Sequence, residues 1–305
     1  MTFEEDDFQE IVAKHFPHAN LIESCRLTGG VSADVFKLVI EHKSGHDVVV
    51  LRVHGDNHSG HPALLEYELL NSLLNANVLV AAAIAVDVSR KEIPADYLLL
   101  GYVQGGTAIR KGFAPTAIRQ MAHALYHVHN EQIEGLPQLP LRLEPLPELF
   151  DYLPEGIEWQ RIRESLGTIE STFTGTPRLL HGDFWPENIM WREERIVAIL
   201  DWEDAAIGDP LADVAGCFSE LRYVHGLRGS ELFLKEYIEL NGPLDLRRLA
   251  LWKIYVSAAA QKYMSCWGLS ADKEAHMRKT AGTNLREAVE YLLEHKVSKG
   301  NLSYV

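Results

Sequence analysis

Cysteine is scarce, with 3 in 305 residues. Cys25, Cys217 and Cys266 are far apart, odd in number and lack C-x-x-C spacing, which excludes a disulfide framework and points to a reducing compartment. Long hydrophobic runs are missing too. The longest, residues 78–86, is half of the roughly 18 residues that a membrane helix needs, so no membrane partner is expected. Positive charge is also short: 29 Lys and Arg against 43 Asp and Glu leave a net charge of −14. That balance gives no basic footprint for sequence-independent nucleic-acid binding. Met1-Thr2-Phe3-Glu4-Glu5-Asp6-Asp7-Phe8 is acidic and has no hydrophobic signal core, so a cytoplasmic location is expected. Internal repeats and low-complexity tracts are absent.

What is present is enough for one large domain or two lobes sharing a core, with 47% hydrophobic residues. The first hundred residues read as strand-rich with one helix. Residues 21–27, 35–40 and 48–53 have strand character, and 97–100 form a last short strand before Gly101. The one helix spans 62–75 and carries Leu65, Leu69, Leu70 and Leu73 at helical spacing behind Pro62. Beyond Gly105-Gly106 the pattern turns helical. Residues 115–131 place Ile118, Met121, Ala122, Leu125 and Val128 on one stripe, and 229–240, 244–266 and 272–294 also read as helices. The expected class is α+β: a small β-rich N-terminal lobe over 1–102 and a larger, mostly helical lobe over 103–305.

Two segments carry chemistry. His181-Gly182-Asp183-Phe184-Trp185-Pro186-Glu187-Asn188 sets an Asp and an Asn five residues apart between β-like pieces at 178–180 and 196–200. Leu200-Asp201-Trp202-Glu203-Asp204 follows with a second Asp. Phosphoryl transfer needs a carboxylate near the attacking hydroxyl and oxygen ligands for Mg²⁺ at the nucleotide phosphates. The Asp-to-Asn spacing matches the protein-kinase catalytic loop, with Gly182 in place of Arg.

Together with Ala205-Ala206-Ile207-Gly208-Asp209-Pro210-Leu211-Ala212-Asp213-Val214-Ala215, these segments resemble the aminoglycoside phosphotransferase family, which includes choline, homoserine and methylthioribose kinases. Weaker echoes run from about residue 27 to 220. The resemblance implies a bilobal protein-kinase-like fold and an ATP- and Mg²⁺-dependent transfer of the γ-phosphoryl group. The acceptor would be a hydroxyl of an antibiotic, amino alcohol, sugar or related metabolite, and GTP is left open as donor. In this reading Asp183 accepts or orients the acceptor proton, while Asn188 and Asp201 hold Mg²⁺. His181 braces the loop, Asp209 caps a helix beginning near Pro210, and Asp213 holds the catalytic turn. Glu203 reaches either metal-bound water or a structural hydrogen bond; Glu203 and Glu220 are candidates on the acceptor side.

In the N-terminal lobe, Gly29, Gly30 and Ser32 occupy the place of a phosphate-covering loop, where small residues let backbone N–H groups approach phosphates. Arg52 stands where protein kinases carry a phosphate-gripping Lys, and a guanidinium preserves that role. Its expected partner is Glu66, with Glu68 as the alternative. Tyr102 and Val103 fall where the interlobe backbone would meet adenine. The histidines at 54, 58, 61, 123, 127 and 129 lack H-E-x-x-H and are read as ordinary helix and loop residues. Two other classes remain: an inactive kinase-like regulator, which the intact Asp183, Asn188 and Asp201 set disfavours, and a protein kinase, for which H-R-D, D-F-G and A-P-E are missing.

Overall fold

The computed structural model describes residues 3–27, 33–55, 58, 60–109, 114–169 and 172–295. It opens with α1 (Glu5–His15), followed by strands β1 (Asn20–Arg26), β2 (Asp34–His42) and β3 (Gly45–His54). Helix α2 (Ala63–Asn75) leads to β4 (Ala83–Asp87) and β5 (Asp96–Gly101). The five strands form one antiparallel sheet in the order β1-β2-β3-β5-β4.

Strand alternation decides what faces where. Phe36, Leu38 and Ile40 of β2 and Val49, Leu51 and Val53 of β3 are buried in a core shared with Phe8, Ile11 and Val12 of α1. Side chains with the other parity on β3, including Arg52 and His54, therefore point to the opposite face of the sheet. Helix α1 was not expected, because its acidic first turn hid a short apolar stripe. Glu4 and Asp7 close a reciprocal capping box there.

The second part begins with α3 (Ala114–His129), whose buried stripe includes Ala117, Ile118, Met121, Leu125 and Val128. Next come β6 (Leu141–Arg142), α4 (Leu149–Tyr152), α5 (Ile157–Leu166) and β7 (Arg178–Leu180). A hairpin of β8 (Ile189–Arg192) and β9 (Arg195–Ile199) precedes β10 (Ala206–Gly208), which lies between β6 and β7 in a small sheet. Three long helices complete the fold: α6 (Leu211–Asn241), α7 (Leu246–Tyr263) and α8 (Ala271–Glu294). The helix start read at Pro210 and the helix expected at 229–240 are two halves of α6, bent at Gly226 where φ is 73°. Leu69, Leu70 and Leu73 of α2 join the core built around α3 and α6, so the two parts share buried surface. Among the described residues no helix is long and apolar enough to cross a membrane.

Candidate active site

The site is built on the turn after β7. Gly182 has φ 89°, and a Cβ there would lie 2.0 Å from the Asp204 carbonyl oxygen, so both its conformation and its surroundings require glycine. Asp213, at the start of α6, holds the turn from below. Its Oδ2 accepts from the His181 backbone N–H at 2.7 Å and its Oδ1 from Gly182 at 3.0 Å. His129 Nε2 lies 3.2 Å from the same carboxylate. Burial works to raise the Asp213 pKa, but His129 and the donors around it hold it below the ordinary value. His181 is buried and kept neutral by desolvation. Its Nε2–H donates to the Leu200 carbonyl at 2.9 Å, leaving Nδ1 to accept from the Asp183 backbone N–H at 3.2 Å.

Asp183 thus projects from a turn fixed on both sides. Asn188, at the end of the 3-10 turn Pro186–Asn188, donates from Nδ2 to the Asp183 carbonyl at 2.9 Å and to its Oδ2 at 3.0 Å. Asp183 is an exposed residue, yet protein and acidic neighbours surround its carboxylate. Desolvation, then Asp201 and Asp204, push its pKa up to about 7.

Asp201 follows β9 in the left-handed region, φ 65°, a backbone state rarely held without a functional or packing constraint. The next residue, Trp202, is buried and packs its ring 4.6 Å from that of His181, pinning the segment to the catalytic turn.

On the opposite wall Arg52 reaches down from β3. Its Nη2 lies 2.9 Å from Asp201 Oδ1 and pairs with Glu203 Oε2, while Nε lies 3.5 Å from Glu66 Oε2. Burial opposes charge on Arg52, and the carboxylates of Glu66, Asp201 and Glu203 more than compensate, raising its pKa. Glu66 is buried too; burial acts to raise its pKa, but Arg52 and His54 hold it low. Glu68 is not among these partners of Arg52. His58 and His61, read as ordinary loop histidines, lie against the acidic segment. His61 donates its backbone N–H to the Glu203 carbonyl at 2.8 Å and Nε2–H to the Ala205 carbonyl at 2.7 Å. His58 Nδ1 lies 3.6 Å from Glu203 Oε2, and its ring stacks on that of His54 at 3.9 Å. The available sequence signal was the density of His and Gly between positions 54 and 61.

Tyr102 and Val103 directly follow β5 in the connection between the two parts. Tyr102 is exposed, with Lys37 Nζ 5.9 Å from its ring centre. Gly106 then exchanges two backbone hydrogen bonds with Trp191 of β8, at 3.0 and 2.9 Å. A Cβ on Gly105 would sit 2.6 Å from the Trp191 carbonyl oxygen, which explains the glycine at that position. The expected phosphate-loop residues Gly29, Gly30 and Ser32 lie outside the described residues.

The model of the APH phosphotransferase enzyme family matches residues 23–252. The chain belongs to this family. Its members share a protein-kinase-like fold, and this phosphotransferase has that architecture. A protein of Ralstonia eutropha JMP134, provisionally assigned as an aminoglycoside phosphotransferase, superposes with a TM-score of 0.70 at 17% identity, over 96% of this chain and 99% of that one. A thermostable mutant of aminoglycoside phosphotransferase APH(4)-Ia, in ternary complex with AMP-PNP and hygromycin B, gives 0.64 at 14% identity, over 91% and 97%. Among curated proteins, acyl-CoA dehydrogenase family member 10 of Mus musculus is 25% identical over 177 residues. That match spans 52% of this chain but 16% of the mouse protein.

Two features of the phosphotransferase bear on ligands. Asn188 commits its amide nitrogen to Asp183, leaving its Oδ1 as an oxygen donor, and Asp201 Oδ1 is buried against the Arg52 guanidinium. These hard oxygen donors fit Mg²⁺. Among the described residues no group of three or more His, Cys, Asp or Glu side chains could hold a metal ion, so such an ion would depend on nucleotide phosphates as well. His123 faces Glu236 at 3.2 Å rather than forming a metal pair with His127. On α6, Glu220 Oε2 is buried without a hydrogen-bond partner and lies within reach of the charge of Asp183. Burial, then the neighbouring charges of Asp183 and Glu187, push the Glu220 pKa up to about 8.

Proposed function

We propose that this phosphotransferase is an ATP- and Mg²⁺-dependent small-molecule kinase that transfers the γ-phosphoryl group to a hydroxyl of an antibiotic, amino alcohol, sugar or related metabolite. The carrying observation is the convergence of Asp183, Asn188 and Asp201 on one side of a cleft whose other side presents the Arg52–Glu66 pair. Asn188 and Asp201 would hold Mg²⁺, which supplies charge neutralisation at the phosphates when bound. Arg52 would grip phosphate oxygens through its planar fork, with Glu66 fixing its orientation. Tyr102 and Val103 would line the adenine site.

Asp183 orients the acceptor hydroxyl and receives its proton as the new O–P bond forms and the bond to the leaving ADP oxygen breaks. Such a transition state is loose, so alignment of the hydroxyl contributes more than basicity. On the acceptor side, the unpartnered Glu220 Oε2 is suited to a polar acceptor carrying hydroxyl or ammonium donors. The complex of the APH(4)-Ia mutant with AMP-PNP and hygromycin B supports a nucleotide donor and a polyhydroxylated amine acceptor as the first pair to try.

The test is nucleotide turnover with Mg²⁺ over a panel of aminoglycosides, macrolides, choline, homoserine, methylthioribose and simple sugars, with Asp183→Ala as control. Acceptor-stimulated ADP release that the substitution abolishes supports the reading. Turnover that survives the substitution sinks the role given to Asp183, and absence of both turnover and nucleotide binding overturns the function.

A further inference from the structure

Glu203 stands two residues after Asp201, where it can be read equally well as a second metal-side ligand. The surroundings of the two carboxylates differ. The Asp201 side chain retains 28% of its exposure and faces the cleft, whereas that of Glu203 retains 10%, the same as its partner Arg52. Room is also lacking around Glu203. A Cβ on Gly60 would lie 2.5 Å from Glu203 Cβ, so the loop after β3 covers the glutamate closely. That loop is tied down by His61, whose backbone N–H and Nε2–H bond the carbonyls of Glu203 and Ala205. Glu203 is enclosed between Gly60, His58 and the Arg52 guanidinium.

We propose that Glu203 is a positioning residue that acts through Arg52, holding the guanidinium in the cleft when Asp201 turns to the metal. This rests on the kinase reading of the site. Arg52 Nη2 contacts both Asp201 and Glu203. Removing Asp201 from that set leaves Arg52 with Glu66 at Nε and Glu203 at Nη2, two carboxylates at two nitrogens of one planar group. The guanidinium is then oriented without using the metal-facing carboxylate. Gly60 and His61 cover the pair from one side, which gives them a role in the same device.

The experiment is calorimetric titration with ADP, in EDTA and separately in excess Mg²⁺, for the wild type, Glu203→Gln, Glu203→Asp, Arg52→Gln and the double variant Arg52→Gln/Glu203→Gln. Thermal melting checks that each is folded, and the double variant removes charge from both sides of the pair. Expected is roughly tenfold weaker binding of metal-free ADP by Glu203→Gln, with part of the loss recovered in Glu203→Asp. In the Arg52→Gln background the second substitution should change affinity less than about twofold, since its effect runs through Arg52. Wild-type binding in EDTA with loss confined to Mg²⁺ would make Glu203 a metal-side residue and overturn the proposal. Full additivity in the double variant overturns it as well. If the wild type binds no nucleotide under either condition, the kinase reading itself fails.

Discussion

Asn188 donates from one amide nitrogen to both the backbone carbonyl and the carboxylate of Asp183, at 2.9 and 3.0 Å. This double bond to a single residue fixes the direction of the Asp183 side chain and turns the Asn188 oxygen away from it. In the proposed reading, the same contact would serve the acceptor through Asp183 and the metal through Asn188.

Asp183→Ala should lower kcat by about 10²–10⁴-fold while ADP affinity stays within about twofold of wild type. Asn188→Ala should lower kcat and also raise the Mg²⁺ concentration needed for half-maximal turnover. Steady-state kinetics across an Mg²⁺ series distinguishes the two patterns. An Asn188→Ala enzyme with unaltered Mg²⁺ dependence would remove Asn188 from the metal side.

The pH dependence follows from Asp183. Its pKa lies at about 7 because desolvation, Asp201 and Asp204 all disfavour the charged form. Proton acceptance needs the carboxylate, so kcat/KM should fall as pH drops through about 7 at low Mg²⁺. Positive charge brought to Asp201 offsets part of the like-charge repulsion and lowers the Asp183 pKa. The acid limb should accordingly move to lower pH as Mg²⁺ rises. A limb that stays at the same pH at every Mg²⁺ concentration refutes this coupling.

Asp213→Ala leaves the backbone donors of His181 and Gly182 and the ring of His129 without their shared acceptor. Removing one partner from such a buried set costs about 3–5 kcal/mol, measurable by urea unfolding. Because the folded-state pKa of Asp213 is depressed, its contribution is present at neutral pH. It is lost as pH falls through the folded value, below the ordinary carboxylate range. The difference between wild type and variant should therefore shrink on acidification. A constant difference between pH 7 and strong acid contradicts the assigned network.

The division into a strand-rich and a helical part was legible because each has its own period: alternation along β2 and β3, and a three-to-four stripe along α3. The contact between Asp183 and Asn188 was legible because the two are close in sequence, and a single 3-10 turn joins them. Helix α1 was not, since three acidic residues begin it and only Phe8, Ile11 and Val12 mark its buried face. The Arg52–Glu203 contact joins residues 151 apart. No local pattern encodes such a pair; it arises only when the loop after β3 closes over the segment after β9. Trp191 likewise revealed nothing in sequence of its pairing with Gly106, although Gly105-Gly106 marked where the pattern turns helical.

Acceptor recognition gives the last prediction. Glu220 Oε2 is buried and unpartnered on α6, within reach of the charge of Asp183. Unpartnered buried polar atoms carry a desolvation cost that an acceptor's donors would relieve. Without acceptor, the Glu220 pKa of about 8 keeps the group mostly protonated at neutral pH. A cationic acceptor favours the carboxylate, so its binding should release a proton, and its affinity should increase with pH up to about 8 while the acceptor amine remains charged. Glu220→Gln keeps the shape and removes the charge. For an ammonium-bearing acceptor it should raise KM by about 10–100-fold, matching the loss of one charge-assisted hydrogen bond, and should flatten this pH dependence. For a neutral polyhydroxylated acceptor the same substitution should change KM by less than about threefold. KM measured for both acceptor types against pH then separates charge recognition from hydroxyl recognition. Equal, small effects on both would remove Glu220 from the acceptor site.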